Sequence, residues 1–143
     1  MNRRTDRGSA AVELAMAAPV LILAALLMAA AGRVVSTAIT VEAAAHAAAR
    51  AASLHTRPEH ARAAAHDTAG AVLADSGYSC ATHTLTVDTS ALTGAAVPGR
   101  AVRTRLTCQV ALADFAPLGL AAHIPVSATG TAPADPYRAQ EHR

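Results

Sequence analysis

The run from Leu14 to Gly32 constrains this chain most, because its nineteen residues carry no charge. A helix of that length rises by about 30 Å, which matches the hydrocarbon thickness of a bilayer. One acidic residue, Glu13, stands immediately before the run. The sequence therefore predicts a single transmembrane helix over residues 9–33.

The charges on either side of this run predict its orientation. Residues 1–8, MNRRTDRG, carry three arginines and one aspartate. Arg33 follows the run directly, but the next basic residue is Arg50, so the positive-inside tendency favours a cytoplasmic N-terminus. We therefore expect a single-pass protein of the cell membrane whose C-terminal region lies outside the cytoplasm.

The remaining residues are too few and too small to build an extensive catalytic core. The chain has 143 residues, and its aromatic side chains are those of Tyr78, Phe115 and Tyr137 alone. A folded part must therefore pack Ala, Val and Leu closely. The net charge of +2 is too small and scattered to indicate nucleic-acid binding. One small domain is the most that this composition supports.

Helix is predicted to continue well beyond the membrane. Residues 34–54 contain no Gly or Pro and are rich in Ala, which favours one uninterrupted helix. Pro19, inside the apolar run, is expected to bend this helix without ending it. Pro58 then breaks the pattern and starts a second helix of about 16 residues, which runs to near Asp75. The predicted extracytoplasmic helical region covers residues 34–76.

After Gly77 the sequence pattern changes to alternating β-branched residues, which is typical of strands. The predicted strands are Cys80–Asp88, Arg100–Ala113 and Ile124–Thr131. Strict alternation places Cys80 with the threonines of the first strand, and Pro125 favours an edge position for the third. The result is a small antiparallel sheet of three or four strands in a β-rich domain over residues 77–132, followed by a flexible tail at 133–143. The predicted fold class is α+β.

Two interpretations are open for Cys80 and Cys108. In an oxidising compartment, an even pair of cysteines is more often a disulfide than two free thiols. A bond closing this 28-residue loop would stabilise the fold by about 3 to 4 kcal/mol in the chain-entropy model. Two buried, reduced thiols are the alternative, and the disulfide depends on this region lying outside the cytoplasm.

No catalytic or metal-binding motif is found among the seven histidines. The spacings H-E-x-x-H, C-x-x-C and G-x-S-x-G do not occur. Cys80 and His83 are close enough to suggest a metal site or a nucleophile and its base, but a three-residue offset on a regular strand turns them to opposite faces. We therefore predict no enzyme activity, no metal, no cofactor and no small-molecule substrate.

The arginines of the second strand allow two interpretations. Arg100, Arg103 and Arg105 could form a patch for an acidic partner or for surface adhesion. The preferred interpretation is a solvated sheet face, whose charges also discourage edge-to-edge aggregation.

The beginning of the chain resembles a processing signal. A short basic leader ends at Gly8, and the fifth residue after that glycine is Glu13, at the start of the apolar helix. This arrangement resembles the class III signal of type IV pilins and pseudopilins, in which a prepilin peptidase cuts after the glycine and leaves the helix on the mature protein. Glycine suits a cut site because a protease cleft must approach the backbone closely.

A narrower resemblance covers residues 8–50. The VEL at Val12–Leu14, Pro19, the Gly32–Arg33 pair and the ending AAAHAAAR look like the TadE-like family of minor pilins from tight-adherence, or Flp, pilus systems. Leu14 stands where an aromatic residue is usual in that family. The resemblance implies a pilus-assembly protein whose partners are the membrane, the prepilin peptidase and other pilins or Tad secretion components.

The resemblance also implies roles for three residues. Gly8 and Ser9 would flank the cleaved bond. Glu13 would then pair with the new α-amine of Ser9 on a neighbouring subunit, which offsets the cost of burying a carboxylate at a membrane. An unpaired Glu13 that reaches the headgroups is the alternative.

A Sec signal peptide is the competing interpretation of the same segment. Arg3 and Arg4 would form its basic region and Ala29–Ala31 its cleavage site, so that a secreted soluble domain would start near Gly32. The apolar run is longer than such signals usually are, and Glu13 falls at its start.

Overall fold

The computed structural model describes residues 6–77, 80–93, 99–111 and 123–134. These contain two helices, a short 3-10 turn and three strands, so the predicted α+β class is confirmed. The elements are α1 (Asp6–Ser53), α2 (Pro58–Asp75), β1 (Cys80–Asp88), the turn Ser90–Leu92, β2 (Ala101–Ala111) and β3 (His123–Pro133). The chain divides into two compact units, Met1–Arg33 and Val34–Arg143. All three aromatic residues and the predicted tail from residue 135 onward lie outside the described residues.

Helix α1 continues through Pro19, as the sequence predicted. A proline removes one backbone donor, and the strong helix formers Ala and Leu on both sides favour continuation of the helix. The helix ends at Ser53, five residues before Pro58. The predicted extension of the apolar helix into an Ala-rich one is therefore confirmed.

Helix α2 begins where Pro58 fixes the backbone of the first turn. Arg57, its N-cap residue, is extended, with φ −99° and ψ 128°, which suits a residue before proline. The helix ends at Asp75, and Gly77 follows with φ 67°, a left-handed conformation that glycine adopts without strain. One face is buried, formed by Ala61, Ala65, Ala69 and Leu73.

The three described strands form an antiparallel sheet in the order β1-β2-β3. Strand β3 is at an edge of this sheet, as Pro125 predicted. Strand β1 has the predicted bounds. Strand β2 begins one residue later than predicted, and its predicted last two residues, 112 and 113, lie outside the described residues. Strand β3 reaches two residues beyond Thr131. Even-numbered residues of β2 are buried, and Arg103 and Arg105 are exposed on the other face.

A β-bulge alters the face on which Cys80 lies. From His83 to Asp88 each residue pairs in one constant register, with His83 opposite Cys108, but Cys80 pairs with Val110. One extra residue, Ala81, is thereby accommodated in β1, so the alternation shifts by one position. The prediction that Cys80 shares a face with the strand's threonines is therefore wrong. Cys80 lies on the buried side, beside Val110.

The core of the unit Val34–Arg143 is built from small side chains of both helices and the buried face of the sheet. Alanines dominate the helical contribution, and Val102, Leu106 and Cys108 are fully buried at its centre. Small side chains allow backbones to approach closely. At Gly130 of β3, an added Cβ would overlap the carbonyl of Ala45 and come within 2.7 Å of the amide nitrogen of His46. Glycine is therefore required where β3 meets α1.

Candidate membrane-assembly site

The N-terminal unit consists of the first part of α1, and its side chains from Val12 onward are almost all exposed. Most of its large apolar residues, including Leu14 and Ile22, are more than half exposed. The most apolar 18-residue window has a mean hydropathy of 2.5, and none of it is buried within the protein. A helix that is apolar on all sides and is not packed against the rest of the protein is suited to a lipid environment or to packing with other helices.

Glu13 is an exposed carboxylate next to Val12, which is 60% exposed, and Leu14, which is 68% exposed. No hydrogen bond or ion pair of Glu13 is observed among the described residues. Gly8 and Ser9 fall within the first turns of α1. The structure therefore places Glu13 and the two residues of the predicted processing site on one helix, ahead of the apolar segment.

Cys80 and Cys108 form the predicted disulfide, with an S–S distance of 1.98 Å and a Cα–Cα distance of 5.4 Å. Cys108 is fully buried, and Cys80 packs against the same core. Both sulfurs can meet because the bulge at Ala81 turns Cys80 to the buried side. The alternative of two reduced thiols is excluded in this structure.

The relation between Cys80 and His83 differs from the prediction. The bulge places both on the same side of the sheet, since their partners Val110 and Cys108 are both buried. The expected opposite faces are therefore wrong. The sulfur of Cys80 is nevertheless bonded to Cys108, so it is neither a thiolate ligand nor a nucleophile.

The histidines do not converge on a metal site in the described part of the chain. No group of three or more His, Cys, Asp or Glu side chains is arranged to hold a metal ion there. His55 and His60 stack across the α1–α2 connection, with ring centroids 6.4 Å apart. Stacking of two exposed rings at a turn explains this pair without a ligand.

Two interactions that the sequence did not suggest fix α1 against the sheet. Thr104, which is 1% exposed, donates a 2.7 Å hydrogen bond from its hydroxyl to the carbonyl of Ala45. Gly130, its partner on β3, provides the space for the helix backbone. An isolated glycine in a strand pattern is a signal of close backbone approach, so Gly130 could have been singled out. Thr104 offered no such signal.

These features define a class of protein with one described helix that is long and apolar enough to cross a membrane, followed by a small disulfide-bonded α+β unit. Residues 8–50, close to a third of the chain, match the model of the family described as TadE-like protein. The predicted resemblance to that family is thereby confirmed over the same residues, and it suggests a protein associated with the Tad pilus. No curated protein and no solved structure matches the chain significantly.

Proposed function

We propose that this chain is a minor pilin or pseudopilin that supports assembly of a Tad/Flp-type pilus or a related envelope apparatus. The observation that carries the proposal is the TadE-like match over residues 8–50, which contains both Gly8 and Glu13 in the spacing of a prepilin signal. The role is one of assembly, with no enzymatic chemistry and no cofactor.

The proposed topology has the N-terminus in the cytoplasm and the unit from Val34 onward outside it. The excess of arginine in residues 1–8 supports this orientation. The Cys80–Cys108 disulfide supports it independently, because such bonds persist in oxidising compartments and are rare in the cytosol.

The proposed processing site is the bond between Gly8 and Ser9, cut by a prepilin peptidase. Cleavage would create a positive α-amine on Ser9, four residues before Glu13. In a membrane, an exposed carboxylate surrounded by apolar side chains needs a counter-charge, and the amine of a neighbouring subunit would supply it. The pair would set the axial register between subunits, with other pilins or Tad secretion components as the partners.

N-terminal sequencing of the mature protein, purified from its host membrane, tests this proposal. A start at Ser9, with the protein retained in the membrane fraction, is the expected result. A membrane-bound protein that still began at Met1 would contradict the processing step.

One observation favours the alternative, a Sec-secreted soluble binding domain that starts near Gly32. The second compact unit begins at Val34, just after the Ala29–Ala31 sequence that a signal peptidase could accept. The same sequencing experiment separates the two, since a start at Gly32 or Arg33 and recovery in the soluble fraction would exclude the pilin proposal.

A further inference from the structure

We propose that the exposed face of the sheet binds an acidic polysaccharide, a polymer with hydroxyls throughout and carboxylates at wide spacing. This open sheet face consists of the outward-facing side chains of all three strands. Its residues are Thr82, Thr84, Thr86 and Asp88 of β1, Arg103, Arg105, Thr107 and Gln109 of β2, and Ser127, Thr129 and Thr131 of β3.

The strand register places each arginine between two hydroxyl-bearing or acidic neighbours. Arg105 pairs with Thr86 on one side and Thr129 on the other, and Arg103 pairs with Asp88 and Thr131. Directly paired residues have Cβ atoms about 5 Å apart, so these side chains are close enough to contact the same ligand group. A shallow depression of about 340 Å³ lies here, lined by residues that include Thr86, Arg105 and Thr129.

The side chains of Arg103 and Arg105 are exposed on this face, whereas those of Arg100 and Arg62 are held by hydrogen bonds within the protein. Arg100 donates hydrogen bonds to the carbonyls of Ser90 and Thr93, and Arg62 donates one to the hydroxyl of Thr89. No hydrogen bond from the side chain of Arg105 is observed among the described residues, and Arg103 has Asp88 as its charged neighbour. A guanidinium presents donors in a fork that matches a carboxylate.

The composition of the face selects among anionic partners. A nucleic acid would require a denser basic surface and aromatic side chains for stacking, and the described part of this face offers two arginines, one aspartate and no aromatic ring. A protein partner would need apolar anchors, but the exposed large apolar residues of the described chain lie on α1 and at Leu54, not on the strands. Sparse charge among rows of hydroxyls matches a polymer of uronic acids.

Binding of the full chain, held in neutral-lipid nanodiscs, to immobilised polygalacturonate tests this proposal. Immobilised neutral dextran and immobilised duplex DNA are the control ligands. We expect retention on polygalacturonate alone. The double variant Arg103→Gln/Arg105→Gln should weaken binding on the order of tenfold, since it removes two charge-assisted contacts. The control Arg50→Gln/Arg57→Gln removes the same charge from exposed positions in the last turn of α1 and just before α2, and should bind like the wild type.

Two further variants distinguish specific recognition by these side chains from nonspecific attraction to their positive charge. Thr86→Val/Thr129→Val keeps both charges and should still weaken binding several-fold, and Arg103→Lys/Arg105→Lys keeps the charge but loses the fork, with a similar effect. Equal weakening by both arginine-to-glutamine pairs, or equal retention on DNA, would overturn the proposal, as would no retention of the wild type. This outcome does not depend on leader processing or pilus assembly, so the two proposals fail separately.

Discussion

The hydroxyl of Thr104 donates a 2.7 Å hydrogen bond to the main-chain carbonyl of Ala45, joining the central strand to the C-terminal part of α1. Fifty-nine positions separate the two residues along the chain. A second, longer contact of 3.5 Å reaches the carbonyl of Gly130. A buried hydroxyl without an acceptor destabilises a fold, and Thr104 is satisfied by the helix itself.

Replacement of Thr104 by valine removes this bond while keeping the shape of the side chain. We expect a loss of about 1 kcal/mol of stability, the usual net value of one hydrogen bond. For a domain of this size that lowers Tm by about 4 to 8 °C. Thermal unfolding of the full chain in detergent, followed by circular dichroism, measures it. Thr84→Val on the open sheet face is the control and should change stability by less than about 0.5 kcal/mol; equal effects would refute the special role of Thr104.

Gly130→Ala and Gly70→Ala should change the stability of the fold in opposite directions. The methyl at position 130 overlaps the backbone of Ala45, which cannot move without shifting α1, so we expect destabilisation by about 2 to 3 kcal/mol. At Gly70, inside α2, a Cβ meets no atom within 4 Å, so alanine should stabilise by about 0.5 to 1 kcal/mol through its helix propensity. Urea unfolding of both variants gives the comparison, and a neutral Gly130→Ala would show that β3 and α1 are not in close contact.

Removal of the disulfide should be the most damaging single change to the folded unit. Cys80→Ala/Cys108→Ala opens a loop of 28 residues, which we expect to cost about 3 to 4 kcal/mol. Addition of a reductant should lower the Tm of the wild type toward that of this variant and leave the variant unchanged. If the variant unfolded at the wild-type temperature, the bond would not contribute to stability.

The lowered pKa of Asp88 predicts that the stability of the fold depends on pH. The backbone N–H of Ser90 donates a 2.9 Å hydrogen bond to its carboxylate and lowers the pKa below the usual 3.8, with further lowering by the side chain of Ser90 and the charges of Arg103 and Arg100. A lowered folded-state pKa stabilises the fold above pH 3.8, and that stability is lost as the pH falls through the folded-state value. The Tm difference between wild type and Asp88→Asn should therefore be present at pH 6 and shrink below pH 3.8. A difference that stayed constant down to pH 2 would contradict this assignment.

Glu13→Val tests the proposed charge pairing in assembly. The substitution leaves Gly8 and Ser9 intact, so we expect normal cleavage. It removes the carboxylate that is proposed to pair with the neighbouring amine, so incorporation into the pilus should fall. Quantitative immunoblotting of sheared pili against the membrane fraction measures the ratio. Glu42→Val, on the exposed side of the same helix, is the matched control. Normal incorporation of Glu13→Val would refute the pairing even if the family assignment stood.

Local sequence determined most of the secondary structure in the described residues. Pro58 and Gly77 bound α2 because each restricts the backbone at its own position, and the alternation of Thr, Leu and Val in β1 gave its bounds correctly. What the sequence did not reveal is non-local. The bulge at Ala81 depends on pairing with β2, and the contact of Gly130 with Ala45 depends on how closely α1 lies on the sheet.

For the candidate site too, local features could be predicted from the sequence and non-local ones could not. Gly8, Ser9 and Glu13 could be singled out because their spacing along the chain is the feature that resembles a prepilin signal. The open sheet face required the strand register, because only the register shows that Arg105 lies between Thr86 and Thr129.

Because of the bulge at Ala81, the disulfide can form only when β1 and β2 pair in the correct register. Without the extra residue, the regular register would place Cys80 on the solvent side of the sheet and Cys108 beneath it, and no bond could form between them. Oxidation therefore selects chains whose first hairpin has closed with the bulge in place. A hairpin that slips by one position leaves the two sulfurs on opposite faces of the sheet, so its cysteines remain reduced.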